Sequence, residues 1–216
     1  MVKLNIKMNY KLSNIATKER IKDFTKLSFK YPYLYKPKRK INGLKEQTIS
    51  IITTENPSVI SQGIWGLLPQ NYGENWSKFQ NIKNTLHTNK LEIKKNILFK
   101  EALFNRRCLF IVTGFYTHKI IDNTIKNYLV EKKNQEPFYL AGIYNVTSDG
   151  FITCSVINTK STEELSSFNN IYEVMPLQIP AIFKSMWLNS ETNIEEIDYL
   201  IDNPYITKLN IQLIAS

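Results

Sequence analysis

The chain has 216 residues, 43% of them apolar, enough to bury one large core, and one domain over 1–216 is favoured over two small ones. Its 28 basic and 19 acidic side chains leave a formal net charge of +9, which suits an anionic partner such as nucleic acid, although lysine and asparagine abundant throughout would give the same excess. No stretch approaches the roughly twenty uninterrupted apolar residues of a membrane helix, and the opening MVKLNIKMNYK lacks the apolar core of a signal peptide, so a cytoplasmic location with no membrane partner is expected.

In chain order, the first helix is predicted from Thr17, whose hydroxyl can cap exposed amides, with Ile21, Phe24 and Leu27 recurring on one face. The next stretch, Ser28 to Lys40, carries two prolines and reads as a loop rich in tyrosine and lysine. Strands are predicted at 48–54, 58–65, 108–113, 115–121, 127–132, 138–145 and 151–158, short β-branched and aromatic runs separated by polar turns. Two later helices follow: 161–168, opened by a capping box of Ser161 and Glu164, and 193–201, with Ile194, Ile197, Leu200 and Ile201 on one side. Strands in series with helices at the flanks define an α+β class, an antiparallel sheet or barrel core flanked by helices.

Several chemistries are not supported. With seven glycines the chain offers no glycine-rich phosphate loop, and it has no zinc signature and no nucleophile elbow, so neither a cofactor nor a metal is expected. Its two cysteines, Cys108 and Cys154, lie in apolar runs without histidine or thiol at ligand spacing and read as core. The histidines His87 and His118 stand alone in separate segments, where a surface or structural role is the usual one.

Five short stretches then fall in order. RRCL at Arg106 to Leu109 with GFY at Gly114 to Tyr116, WGLLP at Trp65 to Pro69, INGLKEQ at Ile41 to Gln47, IYEVMPLQIP at Ile171 to Pro180, and Trp187 with Leu188 together resemble the SRAP family, the SOS-response-associated peptidase domains. That resemblance implies a domain that processes abasic sites in single-stranded DNA. In the family, a cysteine exposed by loss of the initiator methionine closes a thiazolidine ring on the open sugar aldehyde. An asparagine, a glutamate and a histidine assist, and arginines hold the phosphates.

The family's catalytic positions are all substituted. MCGRF resembles MNYKL at Met8 to Leu12, which puts Asn9 in the cysteine's place and leaves residues 1–7 as an N-terminal extension; residue 2 is Val2. NARxE falls on HTNKL or one residue later, placing His87 or Thr88 where the asparagine belongs. The glutamate becomes Thr117, a hydroxyl without acid strength near neutral pH, and the histidine becomes Tyr172. Arginine positions change to Lys11, to Asn89 or Lys90, and to Val174; lysine keeps the charge and loses the fork geometry.

The reading that follows is a pseudoenzyme of this fold, binding single-stranded or abasic DNA without the covalent adduct. Lys11, Lys38, Arg39, Lys40 and Lys90 would meet phosphates, with Asn42, retained from the family stretch, beside them. Trp65, Trp76 or the tyrosines of Tyr31 to Tyr35 would offer stacking surfaces, although Trp65 lies in an apolar motif that favours the core. One alternative keeps an enzyme, with Lys11 forming a Schiff base and cleaving by β-elimination, which needs a desolvated amine or a neighbouring cation. Another is a protein-interaction or regulatory module whose groove Tyr10, Tyr172 and Val174 make more apolar.

Overall fold

The structure, a computed structural model, describes residues 10–82, 85–169, 174–205 and 209–214. It opens with β1 (Lys11–Asn14) and α1 (Lys18–Thr25). Thr17 caps α1, its hydroxyl accepting from the Arg20 amide at 3.3 Å, and Lys26 in the left-handed region (φ 58°) ends it. Next come β2 (Ser28–Phe29), β3 (Lys38–Asn42), β4 (Thr48–Thr53), β5 (Val59–Trp65) and α2 (Trp76–Ile82). The middle of the chain forms β6 (His87–Asn89), α3 (Lys90–Lys95), α4 (Ile97–Asn105), β7 (Arg107–Val112), β8 (Gly114–Ile121) and β9 (Thr124–Glu131). The remainder forms β10 (Phe138–Val146), β11 (Ile152–Lys160), α5 (Glu163–Ser166), β12 (Val174–Pro176), β13 (Gln178–Ile179), α6 (Lys184–Leu188), α7 (Ile194–Asp202) and β14 (Asn210–Ile214).

All seven expected strands are present, as β4, β5 and β7 to β11, and the core is an antiparallel sheet flanked by helices. Two local expectations are corrected. The stretch from Ser28 to Lys40 is not wholly loop: it holds β2, a 3-10 turn at Pro32–Leu34 and the start of β3. α5 is capped by Thr162 rather than Ser161, because it is the Thr162 hydroxyl that meets the Leu165 amide at 3.2 Å. α3 and α4, which apolar spacing alone did not announce, start on Asn89 and Asn96, whose side-chain oxygens accept the first free amides.

β4, β7, β10 and β11 pair antiparallel in turn with β5 at one end, and β5 also pairs in parallel with β11 (Ile64 with Thr153, Trp65 with Cys154), so the strand path closes on itself. Closure removes the open edges of those strands. A second sheet runs β14-β9-β8-β1-β3, which leaves β3 as an edge. β7 shows why its sequence is apolar without alternation: Cys108, Phe110 and Val112 face one hydrophobic cluster, and Leu109 and Ile111 face another under the helices. Gly142 of β10 packs where a Cβ would lie 2.4 Å from the Phe110 ring. Among the described residues, no helix is long and apolar enough to cross a membrane.

Arg107 begins β7 with its side chain buried. The guanidinium donates to the carbonyls of Leu103 and Phe104 in the last turn of α4, both at 2.9 Å, and to those of Trp187 at 2.9 Å and Asn189 at 2.5 Å around the end of α6. One cation thus satisfies orphan carbonyls at two helix C-termini, where positive charge is favoured. Arg107→Met is expected to lower stability by about 3 kcal/mol in urea unfolding, since it strands these acceptors in the interior; a loss below about 1 kcal/mol would mean water replaces the clamp.

Candidate nucleic-acid site

β1 is held on both sides. It pairs with β3 (Lys11 with Asn42, Leu12 with Ile41) and with β8 (Leu12 with Phe115, Ser13 with Gly114). Beyond the pairing, the Thr113 amide donates to the Ser13 carbonyl at 2.8 Å, the Ile15 amide donates to the Thr113 hydroxyl at 3.1 Å, and the Asn14 side-chain amide reaches the Ile111 carbonyl at 2.9 Å. Leu12 is sealed in the core, so the next residue back, Lys11, is carried to the mouth of a hollow between β1, β6, β8 and β11.

That hollow measures about 480 Å³ with its open mouth. Lys11, His87, Thr117, His118, Asn158, Asn169 and Val174 line it. It therefore gathers residues from five separate stretches, among them two of the substituted family positions, His87 and Thr117. Asn9 and Tyr172 lie outside the described residues, but Lys11 and Val174, two positions along from each, line the same wall. Both histidines line it as well, although they lie in separate segments of the sequence. His87 is buried, with its ring 5.8 Å from that of Tyr10 and 5.4 Å from that of Trp65. His118 stands opposite Asn127 of β9.

The charges here are tuned. Burial, and then the positive charge of Lys40, hold the Lys11 amine below its ordinary pKa. Burial, and then the charge of Lys11, lower that of His118, against a hydrogen bond with Asn127 that works the other way. Cys108 and Cys154 lie fully buried outside this wall, and burial raises both thiols far from the thiolate form.

The other expected contacts divide. Lys38, Arg39 and Lys40 are exposed along the edge strand β3, on the same margin as Lys11. Arg39 also lies 3.8 Å from the buried Glu131 carboxylate. Asn42 shapes a turn: its side-chain oxygen accepts from the Leu44 amide, and its own amide donates to the Gln47 side chain, both at 3.1 Å. Lys90 sits apart from this margin in an ion cluster, 3.3 Å from Asp198 and 2.5 Å from Asp202 of α7. Trp65 has no exposed face; its indole N–H donates to the Leu86 carbonyl at 2.8 Å, so it packs the wall behind His87 and cannot stack on a base. Tyr35 is likewise buried, whereas Tyr31 and Tyr33 are exposed with ring centroids 6.1 Å apart. Trp76 is half-buried, edge-on to the Phe151 ring. Among the described residues, no group of three or more histidine, cysteine or acidic side chains could hold a metal.

The family model described as SOS response associated peptidase (SRAP) matches residues 8–215. A crystal structure of a Bacteroides thetaiotaomicron protein is similar with a TM-score of 0.84 at 20% identity, covering 95% of this chain and 92% of that one. Two Bordetella bronchiseptica structures follow. One has a TM-score of 0.75 at 13% identity, with 96% and 100% covered. The other, a phage-related protein, has a TM-score of 0.69 at 12% identity, with 95% and 94% covered. At these identities the likeness concerns the fold. No curated protein is similar enough to match.

In competitive labelling with an amine-reactive reagent across pH 7 to 11, Lys11 is expected to show a midpoint below that of a free lysine side chain, because a depressed pKa leaves more neutral amine at any pH below it. Lys40→Ala should move the Lys11 midpoint upward by removing the like charge. A Lys11 midpoint at or above that of a free lysine side chain would contradict the desolvated placement.

Proposed function

Since the chain belongs to the SRAP family, whose members bind DNA and whose membership points to a DNA-damage-related role, we propose that it acts as a single domain that binds single-stranded or abasic DNA and forms no thiazolidine adduct. One observation carries this reading: the hollow persists with Lys11 at its mouth and a lysine-bearing edge strand beside it, while both thiols of the chain are sealed in the core. The thiazolidine ring needs a sulfur and an amine on one residue, and no cysteine stands at this wall to provide them.

The strand would run along β3, with Lys38 and Lys40 meeting phosphates and Tyr31 and Tyr33 available to stack bases. Stacking of this kind is worth roughly 1–3 kcal/mol per base. Lysines on an exposed edge also discourage pairing with another sheet, so charge alone does not distinguish docking from edge protection. Salt dependence does. Each phosphate neutralised on a single strand contributes a slope of about −0.7 in log affinity against log salt. Wild-type protein is expected to shift a labelled single-stranded oligonucleotide on a native gel at low salt. Lys38→Ala with Lys40→Ala should weaken binding and flatten the slope by about 1.4, two contacts' worth, whereas Lys90→Ala should leave it within about twofold. No shift at low salt sinks the reading, and binding indifferent to salt would point instead to an apolar protein partner in the same groove.

A further inference from the structure

A second hollow lies at the other end of β1 and shares no lining residue with the first. β4 reaches β7 only from Ile51 onward, so Thr48 to Ser50 have β5 on one flank and the hollow on the other. Asn14 of β1, Ile41 of β3 and the segment that follows the Pro32–Leu34 turn close around it, leaving about 420 Å³ with its open mouth. That is room for a small ligand.

Its polar groups are sorted by depth. Asn14 and Ser50 are each 2% exposed. The Asn14 side-chain amide is spent on the Ile111 carbonyl, and its buried oxygen meets no donor among the described residues. Gln62 donates its amide to the Ser50 hydroxyl at 2.9 Å, which leaves the Gln62 oxygen to accept and the Ser50 proton to be donated. Lys36 and Lys38 stand exposed at the mouth, and Leu34 and Ile49 supply apolar walls. A buried acceptor without a donor is costly, and here it points to a ligand. Oxygens deep inside repel an anion, and two lysines at the mouth, on a chain of net charge +9, repel a cation. The arrangement suits a neutral N–H group inside, a flat ring between the walls and a negative charge outside.

We propose that this hollow receives one amino-bearing nucleobase, cytosine or adenine, with the adjoining phosphate held by Lys36 and Lys38. Asn14 and Gln62 accept the N–H bonds of the exocyclic amine, and the Ser50 hydroxyl donates to the ring nitrogen beside it. Uracil and thymine present a carbonyl oxygen in the place of that amine, so oxygen meets oxygen and the base is rejected. The inference rests on the docking reading: a strand running along β3 over Lys38 passes this mouth and turns one base into it, as bases splayed out of single strands are commonly read. The contacts themselves need only a base and its phosphate, from a strand or from a free nucleotide.

The test compares deoxycytidine and deoxyuridine strands of equal length on native gels with the full chain, since the two bases differ only along the edge in question. Deoxycytidine strands are expected to bind about tenfold more tightly, within the range for one base read by paired hydrogen bonds. Gln62→Met, at a half-buried position, should bring that ratio below about threefold by weakening the cytosine strand, and Asn14→Leu should do the same where it folds. Lys36→Ala should weaken both strands alike and leave the ratio unchanged. Equal, salt-sensitive binding of the two strands keeps the docking reading and discards the base pocket. A preference that survives Gln62→Met also overturns the pocket, and wild-type affinity in Lys36→Ala overturns the phosphate contact. If neither strand shifts, the docking reading fails, and the side-chain amide NMR signals of Asn14 and Gln62 are followed during titration with free deoxycytidine and deoxyuridine monophosphates. Movement with the cytidine nucleotide alone keeps the pocket; movement with both or with neither discards it.

Discussion

The position of β1 decides what this molecule can do. Three hydrogen bonds fasten its end, Asn14 donating to Ile111, Ile15 donating to Thr113 and Ser13 accepting from Thr113, and Leu12 is driven into the core beside Phe115. On the other side of β8, Gly114 permits the close approach of β9, since a Cβ there would lie 2.8 Å from the Val130 carbonyl oxygen. With Leu12 fixed, the Lys11 backbone is held beside the hollow and its side chain is half-buried. The register that pairs it with Asn42 also brings Lys40 alongside. Desolvation and like charge on Lys11 are thus consequences of strand pairing, set before any ligand arrives.

A second group of residues holds the frame without taking part in the site. The arginines of RRCL serve architecture: Arg107 ties the ends of α4 and α6 to β7, and Arg106 donates to Asn145 at 2.8 Å and to Glu101 at 3.0 Å. Trp187 donates its indole N–H to the Cys108 carbonyl at 2.9 Å, and Trp65 does the same for the segment leading into His87. Asn42 and Gln47 hold each other across a turn. These motif residues were the ones by which the family could be recognised, and their visible work is to fold the chain. The family signature is thus carried here by residues that hold the frame.

The same division explains what could be read from the sequence. Runs such as Cys108–Thr113 and Phe138–Asn145 are buried on both faces, so continuous apolar sequence identified them without ambiguity. β3 was hidden because an edge strand with three outward charges and one buried side chain, Ile41, carries no alternation. α3 and α4 were hidden because their asparagine caps are common residues in an asparagine-rich chain. At the site, Lys11 and Thr117 were legible through the family pattern. The gathering of His87, His118, Asn158 and Asn169 was not, because each lies far from the others in sequence and only closure of β6 and β8 around β11 and β1 joins them. The engagement of Lys90 by Asp198 and Asp202 was equally invisible, more than a hundred residues separating the partners.

What emerges is a member of the SRAP family whose two thiols are sealed in the core and whose hollow carries a partly desolvated lysine, Lys11. Persistence separates a covalent adduct from docking: a thiazolidine survives digestion of the strand, whereas a bound strand leaves the protein unmodified. The most direct measurement is the intact mass of the wild-type protein after incubation with excess abasic single-stranded DNA, without reductant and followed by nuclease digestion. The account predicts recovery of the unmodified mass. A persistent sugar-phosphate addition, above all one mapped to Cys108 or Cys154, would contradict it.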